Sequence, residues 1–400
     1  MTANNKIKIK VVWLCWFSNA DMNALFGKNL NEVSPWISNL IKIFESRDDI
    51  EIHVVSPNRY TNKNKLFMLN NIYYHFYKTY YLVNKKIYSK LHINEISNYR
   101  LIRSNIKRII DNINPDLVHL HGAENPIYSI GILSIVKKYI ILVTIQGFIN
   151  LETIYDNKTI RYRKKIEKEI LSKCNNYGVR SNDTCKVIKM YNESPNYFWH
   201  DYPITKPNQD IIPKNKEYSY DCAFFARISP ENGIEDLFKA IKIVKESKPD
   251  ITLVVIGPVE MVLSELKNQC IDIGIEDNVI FKGYYDSQQE AFQEVSKAKI
   301  DVLPTHYDVI PGTILECMYI GVPVISYSVG GIPELNEKRE SVALVEKGNV
   351  EKLANKILGL LTNETLRQQY IKNGKITAES LFDYNKIYDD LHKIYNTLTE

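Results

Sequence analysis

Short apolar runs alternate with amphipathic stretches along this chain, and the pattern occurs twice, on either side of a proline-bearing segment. In the first half, residues 7–14, 50–56, 117–121 and 140–145 have the length and apolarity of buried strands. Residues 34–46, 99–112, 128–137 and 159–173 carry helical apolar spacing. In the second half, strands are expected at 222–226, 251–256, 279–281, 300–303, 322–326 and 342–345, with helices between them. Strand–helix alternation builds parallel sheets covered on both faces. Between the halves lies DYPITKPNQDIIPKNK, whose Pro203, Pro207 and Pro213 mark a linker. The expectation is an α/β chain of two doubly wound domains, residues 1–205 and 206–384, facing each other across a cleft, with a last stretch at 385–400. Ligands of such sheets bind beyond the carboxyl ends of the strands.

The totals agree with two cores: 400 residues at 44% hydrophobic content can fill both. Six cysteines (15, 174, 185, 222, 270 and 317) form no CxxC pair, which fits a reduced cytoplasm. No signal peptide is expected, and the apolar run 11–17 is too short to span a membrane. Charge is uneven. Residues 1–200 hold 29 Lys and Arg against 16 acids, and residues 201–400 hold 22 against 31. Two readings of the basic half stay open: a peripheral approach to an anionic membrane or a pyrophosphate-linked acceptor, or a plainly solvated face. Nucleic acid is not an expected partner.

The segment 305–334, THYDVIPGTILECMYIGVPVISYSVGGIPE, carries most of the chemistry. Asp308 and Glu316 stand eight residues apart. Pro311-Gly312-Thr313 begins a helix, which places Glu316 about one turn inside it. The run 322–325 reads as a buried strand, and Gly330-Gly331 as a tight turn opening onto another helix. Free N–H groups at a helix start bind phosphate oxygens, and a carboxylate just inside accepts from sugar or ribose hydroxyls. An anion cradle beside hydroxyl acceptors describes a nucleotide-sugar pocket.

This segment resembles the Glu-x7-Glu region of the retaining glycosyltransferases of family 4, which have two Rossmann-like domains in the GT-B architecture. A second stretch, CAFFARISPENGIEDLFKAIKIVKESKPDITLVVIGP (222–258), resembles that family's strand–Arg-x4-Lys-Gly–helix segment, with Arg227 and Gly233 in place. The likeness covers nearly all of the second half and, more weakly, the first. It gives Arg227 the departing diphosphate, Glu316 the ribose hydroxyls, and Gly312, Thr313, Gly330 and Gly331 backbone contacts to the donor. Asp308 stands where the family usually has Glu and would accept from the donor sugar with a shorter reach. Asn232 stands where the family usually has Lys, which removes a cation. Taken alone, Arg227 also fits a surface ion pair and Asp308 a turn-stabilising aspartate.

In the first half, PDLVHLHGAENP (115–126) resembles the family's strand ending in His-x-His. On a strand His119 and His121 share a face, with His121 at the exposed end. The resemblance places His121 beside the reacting sugar; by itself, a strand-end histidine is more often structural. Gln146, in VTIQGF, falls where many relatives have histidine, and with Glu124 it is an acceptor-side candidate. The loop CWFSNADMNALFGKN (15–29) lacks the paired glycines of many relatives. Residues 71–92 hold six tyrosines, four lysines and no acid. That composition suits a membrane interface or lipid-linked acceptor, or simply a strand and helix packed on the first domain. Residues 385–398 resemble the family's terminal helix, which crosses back to the first domain.

The implied activity is a retaining, metal-independent sugar transfer from a nucleotide diphosphate-sugar to a saccharide or lipid-linked acceptor, without cofactor or metal. The expected setting is bacterial surface polysaccharide or glycolipid assembly in the cytoplasm, extending to the inner face of the membrane. Retention and metal independence come from the resemblance, and no Asp-x-Asp motif argues otherwise. Two alternatives stay open: a relative with other nucleotide-sugar chemistry, such as an epimerase, and a catalytically silent module that binds nucleotide-sugar or polysaccharide as a partner subunit.

Overall fold

The computed structural model describes residues 8–80, 91–151, 156–208, 210, 212, 217–259, 261–381 and 383–400. The chain divides into two compact units, Met1–Pro203 with Tyr384–Glu400, and Ile204–Asp383.

Unit 1 is built on an eight-stranded sheet. Its strands are β1 (Ile9–Leu14), β2 (Ile50–Pro57), β3 (Lys65–Leu69), β4 (Ile72–Tyr77), β5 (Leu117–His121), β6 (Ile140–Thr144), β7 (Asn176–Val179) and β8 (Asn196–Trp199). The order is β3-β4-β2-β1-β5-β6-β7-β8. Every pairing is parallel except β3–β4, which is an antiparallel hairpin. That hairpin departs from the all-parallel expectation. Asn70 and Asn71 both have positive φ (49° and 64°), the backbone a two-residue hairpin turn needs and one that asparagine tolerates. The central strands β1 and β5 are buried almost throughout, as sheets covered on both faces require. Trp13, Phe44, Val54 and Tyr74 share one core with Ile387, Leu391 and Tyr395 of the last helix, Tyr384–Thr399.

One expected helix, 128–137, is shorter and of another kind. A single α-turn, Pro126–Ser129, passes into a 3-10 turn, Ile130–Ser134. Gly131 sits where a Cβ would come within 2.6 Å of the Ile106 side chain, so the backbone itself is the packing surface. Apolar spacing could not distinguish that from a regular helix.

Unit 2 holds β9 (Tyr220–Phe225), β10 (Leu253–Ile256), β11 (Val279–Gly283), β12 (Ala298–Leu303), β13 (Val324–Tyr327) and β14 (Val342–Val345). They form one sheet in the order β11-β10-β9-β12-β13-β14, parallel throughout. Strands β9, β10, β12 and β13 are almost wholly buried, and helices such as Ile234–Ser247 and Gly312–Tyr319 turn an apolar face to the core. β9 and β12 lie at the centre, and their carboxyl ends carry the loops of interest.

Candidate active site

In unit 2 the chain leaves β9 at Phe225, whose N–H donates to Oδ1 of Asp301 on β12 (3.1 Å). Asp301 is fully buried, and desolvation pushes its carboxyl up to about 8. Arg227 follows, exposed at the strand end. A 3-10 turn, Pro230–Asn232, leads to Gly233 and the helix Ile234–Ser247. Gly233 has φ +79°, and a Cβ there would sit 2.0 Å from the Pro304 carbonyl oxygen. Only glycine meets both demands. The carbonyl of Glu231 accepts from His306 N–H (2.8 Å) and Thr305 Oγ1 (3.2 Å), so this loop is bonded to the one after β12. Asn232 turns its amide inward, with Nδ2 donating to the Arg227 carbonyl (2.8 Å). Where the family has a cation, this chain has a brace for the arginine loop.

After β12 the chain passes His306, Tyr307 and the half-buried Asp308 to Pro311, which is the N-cap of the helix Gly312–Tyr319. Proline has no side chain to cap the first N–H groups, which remain available as donors at Gly312 and Thr313. Glu316, within this short helix, is 4% exposed and accepts from Gln288 Nε2 (2.7 Å). Burial is the main influence on it and pushes its carboxyl up to about 8, against a smaller lowering by Gln288. A buried carboxyl with one amide partner keeps further acceptor positions. Gly330 has φ +53°, and a Cβ on it would lie 1.7 Å from the Asp308 carbonyl oxygen, while Gly331 N–H donates to Val309 O (2.8 Å). The glycine turn therefore seats directly on the backbone that carries Asp308.

Arg227, Asn232, Gly233, Asp308, Gly312, Thr313, Glu316, Gly330 and Gly331 thus all lie on loops or helix starts following β9, β12 and β13. Gln288 and Asp301 belong with them and carry no sequence signal of their own. Beside them Asp236 accepts from Tyr327 OH (3.0 Å) and faces His306 Nε2 at 3.6 Å.

In unit 1, His119 and His121 do share a face of β5, with ring centroids 3.8 Å apart. His121 is not exposed, as the strand-end reading expected: it is 3% accessible, with Trp13 against its ring and Tyr202 OH 2.6 Å from its Nδ1. Trp13 of the neighbouring strand β1 and the Tyr202 loop cover the strand end. Burial holds both rings neutral, well below the usual histidine range. His121 Nε2 is buried with no hydrogen-bond partner among the described residues.

The two acceptor-side candidates hang on one helix, Lys158–Lys173. Its Arg163 Nε donates to the Glu124 carbonyl (2.9 Å), and Glu124 Oε1 accepts from Tyr128 OH (2.8 Å). Its Glu167, fully buried, accepts from the backbone N–H of Ile149 and Asn150 (both 2.9 Å), just past Gln146. Burial pushes the Glu167 carboxyl up to about 7. Gln146 is half-buried, and its Nε2 has no partner among the described residues. The loop after β1 folds without paired glycines: Asn19 caps the helix Ala20–Phe26 by accepting from Met22 N–H (3.0 Å). In the tyrosine-rich segment, Tyr74 and Tyr77 of β4 are core residues, which favours the packed reading there; residues 81–90 lie outside the described residues.

No disulfide links any of the six cysteines. Among the described residues no helix is long and apolar enough to cross a membrane, and no group of three or more His, Cys, Asp or Glu side chains is placed to hold a metal ion.

Comparison with known proteins fits this geometry. Residues 206–377 match the family model of glycosyl transferases group 1, and residues 28–175 match that of glycosyl transferase 4-like proteins. Over 179 residues the chain is 27% identical to the capsular polysaccharide biosynthesis glycosyltransferase CapM of Staphylococcus aureus, a match covering 45% of this chain and 46% of CapM. The chain spans about half the length, or less, of the first curated relatives it matches. In fold, it superposes on sucrose-phosphate synthase from Thermosynechococcus elongatus with a TM-score of 0.75 at 16% identity, over 98% of this chain and 99% of that one. HepE of Anabaena, solved with UDP-glucose, gives 0.68 at 14% identity, over 97% and 100%. The two Rossmann-like units and these neighbours show a GT-B fold, and the two family matches, in the expected order, establish that the chain belongs to the group 1, family 4-type glycosyltransferases.

Proposed function

We propose that the chain is a retaining, metal-independent glycosyltransferase that takes a sugar from a nucleotide diphosphate-sugar held by unit 2. The acceptor is a saccharide or lipid-linked saccharide bound through unit 1, in bacterial surface polysaccharide or glycolipid assembly. The observation that carries this reading is Glu316, a carboxyl buried within a short helix whose N-cap is proline, beyond the carboxyl ends of a parallel sheet. Burying an acid is costly unless a partner compensates. Ribose hydroxyls are partners of the right kind. CapM's place in capsular polysaccharide synthesis and HepE's UDP-glucose support the pathway class and the donor class. Retention and metal independence rest on the family likeness.

In this reading the bond from the anomeric carbon to the diphosphate oxygen breaks, and negative charge builds on the departing phosphate. Arg227 meets that charge with its planar fork of donors, and the N–H groups of Gly312 and Thr313 add the helix start. Asp308, held by the Gly330-Gly331 turn, accepts from hydroxyls of the donor sugar. His121, neutral and with Nε2 unpartnered, contacts the reacting sugar, and Gln146 and Glu124 line the acceptor side. The basic first half brings the enzyme to the inner face of the membrane where its acceptor is lipid-linked.

A second reading, a silent module that only binds nucleotide-sugar, draws on Asn232, which braces Arg227 instead of adding a charge. Sugar release from a panel of nucleotide sugars, in wild type and Asn232→Lys, separates the two. Turnover in wild type that changes little on substitution supports the enzyme. Turnover near zero that rises steeply in the variant supports decay to a binding module.

A further inference from the structure

Beneath His121, five side chains from distant parts of unit 1 form one hydrogen-bonded line that ends on a backbone carbonyl. Trp13 Nε1 lies 3.0 Å from Tyr395 OH, and Tyr395 OH lies 2.8 Å from His119 Nδ1. His119 Nε2 is 2.7 Å from Thr144 Oγ1, which is 2.8 Å from His200 Nε2. His200 Nδ1 is 3.1 Å from the Asp201 carbonyl oxygen.

The ends of this line are chemically unambiguous: an indole N–H only donates, and a carbonyl oxygen only accepts. From the indole end, Tyr395 oxygen accepts from Trp13 and keeps its own proton to donate to His119 Nδ1. A neutral His119 then carries its proton on Nε2 and donates to Thr144, which donates onward to His200. From the carbonyl end, His200 must carry its proton on Nδ1, which leaves Nε2 to accept from Thr144 and returns the same assignment. Burial supports the neutral forms: both rings are held below the usual histidine range, His200 at about 4. All these side chains except Thr144 are aromatic, and each is buried.

We infer that Tyr395, from the last helix, is a positioning residue that fixes His119 as its neutral Nε2–H tautomer and so sets the ring face against which His121 rests. The inference rests on the reading of His121 as the residue beside the reacting sugar. The C-terminal helix thereby becomes part of the site's support, through a residue 276 positions away in sequence from the histidine it holds.

The test is nitrogen NMR of the full chain with labelled histidine at pH 7, its eight histidines assigned by single substitutions. His119 is expected neutral with its proton on Nε2, and His200 neutral with its proton on Nδ1. A His119 ring protonated on Nδ1, or on both nitrogens, overturns the chain. Tyr395→Phe removes the donor to His119 Nδ1 and frees that edge of the ring, and is expected to lower kcat about tenfold at unchanged donor KM, as a displaced support does. An unchanged kcat in that variant overturns the positioning role even where the wild-type tautomer is as assigned. Failure of the underlying reading looks different. If His121→Ala transfers sugar at the wild-type rate, the role of His121 falls and the positioning role with it, while the tautomers stand on the spectrum alone.

Discussion

The two halves of this molecule hold their functional candidates in opposite ways. In unit 2 they sit on short loops, and glycines without Cβ atoms let one backbone press against another: Gly233 on Pro304, Gly330 on Asp308. In unit 1 the histidine pair sits in a packed interior, and side chains brought from positions 13, 119, 144, 200 and 395 hold one another. Backbone contacts between loops leave side chains such as Arg227 exposed to meet a charged ligand. A buried side-chain network instead fixes ring orientation and proton placement, and its members stay neutral. Under the proposed function, phosphate and hydroxyl binding falls to unit 2 and orientation of a neutral histidine to unit 1.

Substitutions can break or sharpen that contrast. The largest effect belongs to the exposed cation. Arg227→Ala is expected to lower transfer by about 10²–10³-fold, as loss of a transition-state charge partner does, with an unchanged melting temperature. Steady-state kinetics beside calorimetry checks both halves of the statement.

Next comes the pH response of donor binding. Free Glu316, at about 8, is mostly protonated at pH 6, and hydroxyl donors favour the carboxylate. Donor affinity should therefore rise by up to about tenfold per pH unit between pH 6 and 8 and level off above. Titration calorimetry in buffers of different ionisation enthalpy would show proton release on binding, and Glu316→Gln would abolish both signs.

Stability gives a third, smaller effect. Asp301 is raised from 3.8 to about 8, so folding favours its neutral form. That contribution is fully present below about 3.8 and is lost as pH rises through about 8. Unit 2 should melt lower at pH 8.5 than at pH 5, and Asp301→Asn should flatten the slope; a slope unchanged in the variant refutes this assignment. A last pair compares the two kinds of support directly. Gly330→Ala is expected to cost about 1–3 kcal/mol through backbone strain and overlap. Thr144→Val leaves two buried ring nitrogens unpartnered, at about 1–3 kcal/mol each. Denaturant titration of each variant should show the loss in the unit that carries it.

What the sequence disclosed follows the same division. Glu316, Arg227, Gly233 and Gly330 were legible as positions because each stands in a short strand–turn–helix stretch, whereas their contacts with Gln288, Pro304 and Asp308 cross between stretches and were not. Local spacing encodes the positions alone. Gln288 and Asp301 escaped notice, since nothing around a helix-start glutamine or a strand aspartate announces what lies across the sheet. His119 and His121 were legible as a pair on one strand face. The burial of His121 was not, because Trp13 and Tyr202, which cover it, are far away in sequence. Strands β7 and β8, four residues each, gave too short an apolar signal, and the β3–β4 hairpin turned on two asparagines in a left-handed conformation. The Asn232 amide could be read only as a missing charge, until its bond to the Arg227 carbonyl gave it a structural task.

The most direct test of the account is thermal stabilisation by a panel of nucleotide sugars, with EDTA throughout, in wild type and Glu316→Ala. A ligand at about 100 times its Kd stabilises the folded state by about 2.7 kcal/mol. The account predicts that at least one nucleotide diphosphate-sugar raises the wild-type melting temperature without metal, and that Glu316→Ala, itself folded, loses the shift. Stabilisation that survives in Glu316→Ala, or that appears only when a divalent cation is added, would contradict it.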